Sequence, residues 1–457
     1  MIDTKAIRAK VLDLAIRGKL TEQLESDGTA EELLGELHIF KNEYSTTMES
    51  KPFTVPETWK WICLGNICTT VTGRLDANQQ DENGEYPFFT CGTEVYKTLN
   101  YAFDCDAILL GGNNASGDYK MHRYCGKFNA YQRVYVISGP SKDVLDYVYL
   151  VIRYWLPYLR LDSKGVTTRF IRIGQVNGMP VPLPPKRELI RIITKVNEAN
   201  RILDTIDYLQ TEYSADTETL KAKLIDAGIR GQLTEQLPED GTAEELYQQI
   251  REEKARLVKD GKIKKSKELP PISENEIPFE IPENWKWVRL DDIVGKTIKR
   301  GKSPKYAENG SVLVFAQKCN TKSGIINLKL ALRLEDEALS RYSNEEFLKS
   351  GDIVINSTGT GTLGRIGRID ETTIGSLKAV PDSHVTTIRC TSFVDSGFAY
   401  WFLKSRQTEI EGMGQGSTNQ KELYVDAIRS LIFSLPPLAE QKRIAERIDS
   451  LMELIGA

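Results

Sequence analysis

The feature that most constrains this chain is an internal repeat whose order is circular. Ile16-Arg17-Gly18-Lys19-Leu20-Thr21-Glu22-Gln23-Leu24 returns as Ile229-Arg230-Gly231-Gln232-Leu233-Thr234-Glu235-Gln236-Leu237. The match runs on through Asp27-Gly28-Thr29-Ala30-Glu31-Glu32-Leu33 and Asp240-Gly241-Thr242-Ala243-Glu244-Glu245-Leu246, so that 15 of the 18 positions are identical. A second block, Val55-Pro56-Glu57-Thr58-Trp59-Lys60-Trp61, returns as Ile281-Pro282-Glu283-Asn284-Trp285-Lys286-Trp287. A third, Leu183-Pro184-Pro185 with Glu188, returns as Leu435-Pro436-Pro437 with Glu440. Similarity in a fixed order marks a repeat architecture. Between the second and third blocks lie two large segments that differ from each other. Two copies of one frame therefore carry two divergent inserts.

The frame reads as helix. From Leu189 to Ala227 apolar residues fall at Ile192, Val196, Ala199, Leu203, Ile206, Tyr213, Leu220, Leu224 and Ala227, with Gln210 and Thr217 as polar exceptions. Gaps of three and four make a heptad-like seam, and a helix of this length reaches roughly 57 Å at ~1.5 Å per residue. Pro184-Pro185 punctuates its start, and Gly228 and Gly231 its end. The second copy comes in two pieces: a C-terminal helix with Ile444, Ile448, Leu451 and Ile455, and an N-terminal one with Ile7, Val11 and Leu14. Joined end to end, they reproduce the central helix and the block after it. The expected fold is α+β: two mixed α/β domains separated by two antiparallel, coiled-coil-like long-helix elements in a circular pseudo-twofold repeat. The expected boundaries are 1–53 for the N-terminal helical half, 54–185 for the first insert and 186–280 for the central helix with a charged linker. The second insert takes 281–435, and 436–457 is the closing helix. In the linker, Lys262-Ile263-Lys264-Lys265-Ser266-Lys267 reads as solvated surface.

The net charge is −4, which does not announce a nucleic-acid binder. The acid lies outside the inserts, however: residues 54–185 hold 13 basic against 12 acidic residues and 280–437 hold 21 against 19. Seven cysteines are scattered without a CxxC pair and the three histidines are dispersed, so reduced, buried thiols are expected and no metal site. No apolar run is long enough for a membrane span, and Met1-Ile2-Asp3-Thr4-Lys5 lacks a signal-peptide pattern. A cytoplasmic protein that does not bind a membrane is the expectation.

Candidate contact residues lie in the inserts. Gly351-Asp352-Ile353-Val354-Ile355-Asn356-Ser357-Thr358 is an apolar strand emptying into the loop Gly359-Thr360-Gly361-Thr362-Leu363-Gly364-Arg365, and Cys105 to Asn114 is its looser counterpart. Glycine lets a backbone approach a ligand, and Ser, Thr and Asn can bond phosphates or base edges. The candidates here are Ser357, Thr358, Thr360 and Arg365, with Asn113, Asn114, Lys120 and Arg123 in the first insert. A basic stretch adds Lys299, Arg300, Lys302, Lys305 and Tyr306, followed by Gln317, Lys318 and Asn320. Near the insert ends stand Lys164, Thr167, Thr168 and Arg169, matched by Ser417, Thr418, Asn419, Gln420 and Lys421. The tryptophans shared by both copies read as core packing rather than as stacking platforms, because a reader must vary what it reads. Gly359 to Gly364 imitates a phosphate loop, but Arg365-Ile366 stands where Lys and Ser/Thr are required. No Asn/Asp-Pro-Pro-Tyr/Phe segment for amino-group methylation is present, and no S-adenosylmethionine glycine motif stands after a strand.

Two divergent inserts, each opened by PxxWxW and closed by an LPP…E helix start, resemble type I restriction specificity subunits across nearly the whole chain. Trp59-Lys60-Trp61, Trp285-Lys286-Trp287 and Leu435-Pro436-Pro437-Leu438-Ala439-Glu440-Gln441 with Arg443-Ile444 carry the likeness. Lys186-Arg187-Glu188-Leu189 departs from it by lacking the Gln after Glu. The resemblance implies a non-catalytic subunit whose inserts are target recognition domains, each reading half of a split, asymmetric site on double-stranded DNA. It implies helices that set the gap and dock two methyltransferase (modification) subunits, which methylate adenine. Restriction–translocation subunits then join them. This chain itself would hold no cofactor, and S-adenosylmethionine, ATP and magnesium would belong to the partners. Two other readings stay open on the residues alone: a protein–protein scaffold, which would lack a steep salt dependence, and a single-chain nuclease using Asp352 and Glu346.

Overall fold

A computed structural model of the chain describes residues 1–39, 52–76, 78–161, 169–322, 324–359, 361–417 and 420–456. It divides into two compact units, Met1–Glu212 and Tyr213–Ala457. The cut falls inside the helix Lys186–Ile229, which starts directly after Pro184-Pro185 and runs for 44 residues.

In the first unit the insert forms a six-stranded sheet in the order Thr69–Thr72, Val134–Ser138, Phe103–Gly111, Met121–Ala130, Tyr86–Phe89, Val95–Thr98. Successive side chains of the Phe103–Gly111 strand serve opposite faces. Ile108 and Leu110 join a core with Tyr147, Val148 and Val151 of the helix Lys142–Leu161, whereas Ala107 and Leu109 pack with Phe89, Phe128 and Val136. The second unit splits its strands into two four-stranded sheets. One has Ile353–Asn356 between Val385–Ile388 and Ile366–Arg368; the other has Val312–Phe315 between Leu332–Leu334 and Ala379–Pro381. This mixed architecture agrees with the α+β expectation.

The frame blocks meet at one joint in each unit. Lys60–Cys63 runs antiparallel to Pro180–Leu183 with Lys60 opposite Leu183. Likewise Lys286–Arg289 runs against Ile432–Leu435 with Lys286 opposite Leu435. Each ribbon ties the start of an insert to its end. Behind the first, the buried Glu188 carboxylate accepts from Trp59 Nε1 at 2.8 Å, Thr21 Oγ1 at 2.9 Å and Gln23 Nε2 at 2.6 Å. Behind the second, Glu440 accepts from Trp285 Nε1 at 2.9 Å, Gln236 Nε2 at 2.8 Å and Thr234 Oγ1 at 3.5 Å. A buried carboxylate is tolerated only when it is bonded in this way. Burial pushes the Glu440 carboxyl up, and the bonds from Gln236 and Trp285 offset this only in part.

Two more contacts explain why the blocks recur together. Gly18 (φ +68°) and Gly231 (φ +72°) are left-handed, and a Cβ on either would stand 2.6 Å from Pro56 or 2.5 Å from Pro282. Arg191 holds Asp27 at 2.6 Å, as Arg443 holds Asp240 at 2.9 Å. Thr29 and Thr242 cap the helices Ala30–Glu36 and Ala243–Lys259, with Glu32 and Glu245 completing the capping boxes. Where the first copy has Leu189, fully buried, the second has Gln441, which bonds Asp395 N and Pro436 O at 2.8 Å each.

The seam holds at Ile192, Val196 and Leu203 and, on the closing helix Leu438–Leu454, at Ile444 and Ile448, all buried. In the first unit the opening helix Thr4–Ile16 lies antiparallel along it, with Arg8 reaching Asp204 and Asp207 at 2.8 Å each. Ile206, Leu224 and Leu451 are half-buried, and Leu220 leaves the seam at 48% exposed. The reason is phase: an α-helix drifts ~20° per heptad from a 3.5-residue repeat. Four heptads beyond Val196, the buried residue is Ile225 rather than Leu224. None of the seven cysteines is bridged, and Cys125 is exposed, against the expectation of burial. Among the described residues no helix is long and apolar enough to cross a membrane.

Candidate nucleic-acid interface

In the second unit the glycine-rich segment links two antiparallel strands, with Ile355 opposite Ile366. Gly359, Gly361 and Gly364 take φ values of +98°, +75° and +75°, a conformation that a side chain resists. Beneath the loop lies a buried polar floor. Ser357 Oγ bonds Thr386 Oγ1 at 2.6 Å, Asn356 Nδ2 donates to Gln317 O at 3.2 Å, and Asn320 Nδ2 donates to Arg365 O at 2.9 Å. Asn320 is fully buried, yet its Oδ1 has no partner among the described residues.

Three further segments converge on this loop. Gln317 Nε2 donates to Thr358 Oγ1 at 2.8 Å, and Thr358 Oγ1 lies 2.7 Å from His384 Nδ1. The hairpin Gln415–Ser417/Gln420–Glu422 is bridged to Thr358 through Glu422, and Leu423 N donates to Ser357 O at 2.8 Å. Arg300 clamps the hairpin base by bonding the Glu422 carboxylate and, at 2.7 Å, Leu423 O. Arg300, Gln317, Ser357, Thr358, Arg365 and the hairpin bearing Ser417, Gln420 and Lys421 are thus brought together. Lys318 and Lys421 are exposed there, while Arg365 Nη2 is turned onto Gly361 O at 2.6 Å.

Lys299 and Lys302 both bond Glu346 at 2.8 Å. Burial pushes that carboxyl up, but the two lysines outweigh it and hold it at about 2. Lys296 is buried, and desolvation next to Arg389 lowers its ammonium to about 8. Lys305 stands 3.9 Å from Glu335, and Tyr306, half exposed, lies opposite Leu334 in the second sheet. The run is divided: Lys296, Lys299, Arg300 and Lys302 line one small cavity with Glu346, while Lys305 turns to Glu335 and Tyr306 lies on the second sheet.

The first unit repeats the convergence with other residues. Asn113 and Asn114 pair with Phe170 and Arg169, and Ile171 N donates to Gly112 O at 3.0 Å. The loop after the central strand thus meets the segment that ends the insert. Asn114 Oδ1 accepts from Ser116 N and Oγ at 2.8 and 2.7 Å, and Lys120 is paired with Asp118. Arg123 is held by Asp106 at 2.7 Å and Asp146 at 3.0 Å, so this guanidinium ties the sheet to the helix Lys142–Leu161. Lys164, Thr167, Thr168, Thr360, Thr418 and Asn419 lie outside the described residues.

Sequence reasoning missed His384, Asn356 and Thr386. The available signal was the Pro381-Asp382-Ser383-His384 turn between two apolar strand segments. The frame tryptophans behave as core: Trp59, Trp61 and Trp285 are buried.

One repeated frame thus carries two unlike inserts with unlike polar loops. The family model described as type I restriction modification DNA specificity domain matches twice, over residues 56–222 and 282–456, and the chain belongs to that family. It is similar to the type I restriction enzyme EcoDI specificity subunit of Escherichia coli, 26% identical over 87% of this chain and 82% of that protein. The EcoAI specificity subunit of the same organism is 25% identical over 98% and 89% of the two chains. A solved chain from work described as the structural basis of complex assembly and conformational transition of the type I R-M system shares the fold. It has a TM-score of 0.59 at 16% identity, covering 89% of this chain and 93% of that one.

Proposed function

We infer that this chain is the DNA sequence-specificity subunit of a type I restriction–modification assembly and carries no catalytic site of its own. Each unit reads one half of a bipartite, asymmetric target in double-stranded DNA, and the helices set the gap between halves. The observation that carries this reading is the double family match, one on each copy of the frame, where the joints coincide and the loop surfaces differ. Two methyltransferase subunits would dock on the helical frame and methylate adenine, and restriction–translocation subunits would cut. S-adenosylmethionine, ATP and magnesium would be held by those partners. The test is methylation mapping of genomic DNA from cells with the neighbouring methyltransferase, with and without this chain. A two-part motif with a fixed gap, present only with the chain, is the expected result. An active methyltransferase that marks no such motif would overturn the reading and favour a protein–protein scaffold.

A further inference from the structure

We propose that His384 is a specificity-determining residue of the second unit, presenting its outer ring nitrogen to a hydrogen-bond acceptor on a base edge. The proposal rests on the reading that this chain selects a DNA sequence. His384 is exposed, yet it is held on three sides. Its backbone N donates to Asp382 Oδ1 at 2.8 Å, its carbonyl accepts from Ser357 N at 2.8 Å, and its Nδ1 lies 2.7 Å from Thr358 Oγ1. Gln317 Nε2 donates to that same hydroxyl at 2.8 Å. A hydroxyl has one proton to give. A ring that takes that proton at Nδ1 carries its own hydrogen on Nε2.

An exposed histidine that rotates freely follows any acceptor and discriminates little. One whose ring is fixed by a second residue tests for an acceptor at one place. The surroundings suit a nucleic acid. Lys318 and Lys421 are exposed on the segments flanking the loop, and such cations position a phosphate backbone without reading sequence. The left-handed glycines Gly359 and Gly361 add no side chain between the loop and a groove. An N–H donor complements purine N7 or guanine O6 in the major groove. Thr358 and Gln317 act through His384 and are positioning residues.

The test uses the full chain with its methyltransferase. Methylation is measured on duplexes carrying every base pair at each target position, and on duplexes with 7-deazapurine at those positions. His384→Ala should reduce discrimination about 10-fold at one base pair of one half-site and, where the acceptor is N7, abolish sensitivity to 7-deazapurine there. The other half-site should be unchanged. Thr358→Val should reproduce most of this loss, and Thr358→Ser, which restores the hydroxyl, should recover it. His384→Gln, which retains an N–H donor, serves as the second variant. A uniform loss across all sequences would mean phosphate contact and overturn the proposal. So would unchanged base preferences in both His384→Ala and His384→Gln, with the wild-type motif intact. A wild-type chain that directs no two-part methylation would overturn the functional reading and this proposal with it.

Discussion

The joints around Glu188 and Glu440 use the same residues in the same register, whereas the surfaces they support share hardly any. Trp, Thr and Gln converge on a buried carboxylate in both, and each ribbon pairs a Lys with the Leu before Pro-Pro. The inserts differ even in sheet plan, one of six strands against two of four. A joint must hold two ends of an insert at fixed places, so its packing tolerates little change. Loops at the ends of sheets can vary without that cost. The duplicated residues hold the inserts in place, and the divergence falls on the surfaces proposed to read.

This likeness between the joints can be broken most directly at the carboxylates. Glu188→Ala and Glu440→Ala each leave buried donors unsatisfied and should cost about 3 kcal/mol. The loss should be larger at Glu188, where Thr21 bonds at 2.9 Å against 3.5 Å for Thr234. Urea unfolding of both variants checks this, and an undisturbed midpoint in either would separate the two joints. Next come Gly18→Ala and Gly231→Ala, which force a Cβ against proline at a left-handed position and should each cost about 2 kcal/mol. Unequal losses in thermal unfolding would show that one joint can relax where the other cannot.

A smaller effect sharpens the difference between the inserts. Glu346 is held at about 2 against its ordinary 4.5, so its contribution is present above pH 4.5 and is lost as pH falls through 2. Glu346→Gln lacks this contribution; its deficit at neutral pH should therefore shrink on acidification, which denaturant midpoints between pH 7 and 3 would follow. Lys299 and Lys302 are partly exposed, and salt should reduce the difference. Smallest is Leu220→Ser, expected to change the stability of the isolated chain by under about 0.5 kcal/mol. Leu203→Ala, in the buried part of the seam, should cost at least about 2 kcal/mol.

The frame was legible in the sequence because a repeat reports its own importance. The Pro-Pro starts, the capping Thr-x-x-Glu and the Trp pair all stand in the same linear order as their contacts. Glu188 and Glu440 were visible as repeated residues, but nothing in a linear string says that a carboxylate lies beneath an indole. The candidate surface was legible only in part. Gln317, Thr358 and the Ser417–Lys421 segment stood out because glycine and polar residues mark loop ends. Their meeting place, and His384 within it, depends on strand order across a sheet. Arg123, Lys299 and Lys302 show the opposite: the carboxylates they pair with could not be read from the string.

The central claim is that one frame carries two independent readers. Replacing residues 290–431 with the matching insert of a relative that has a different motif, then mapping methylation, tests it most directly. The expected result is a hybrid motif in which one half is exchanged while the other half and the gap length persist. A change in both halves, or in the gap, would contradict the account.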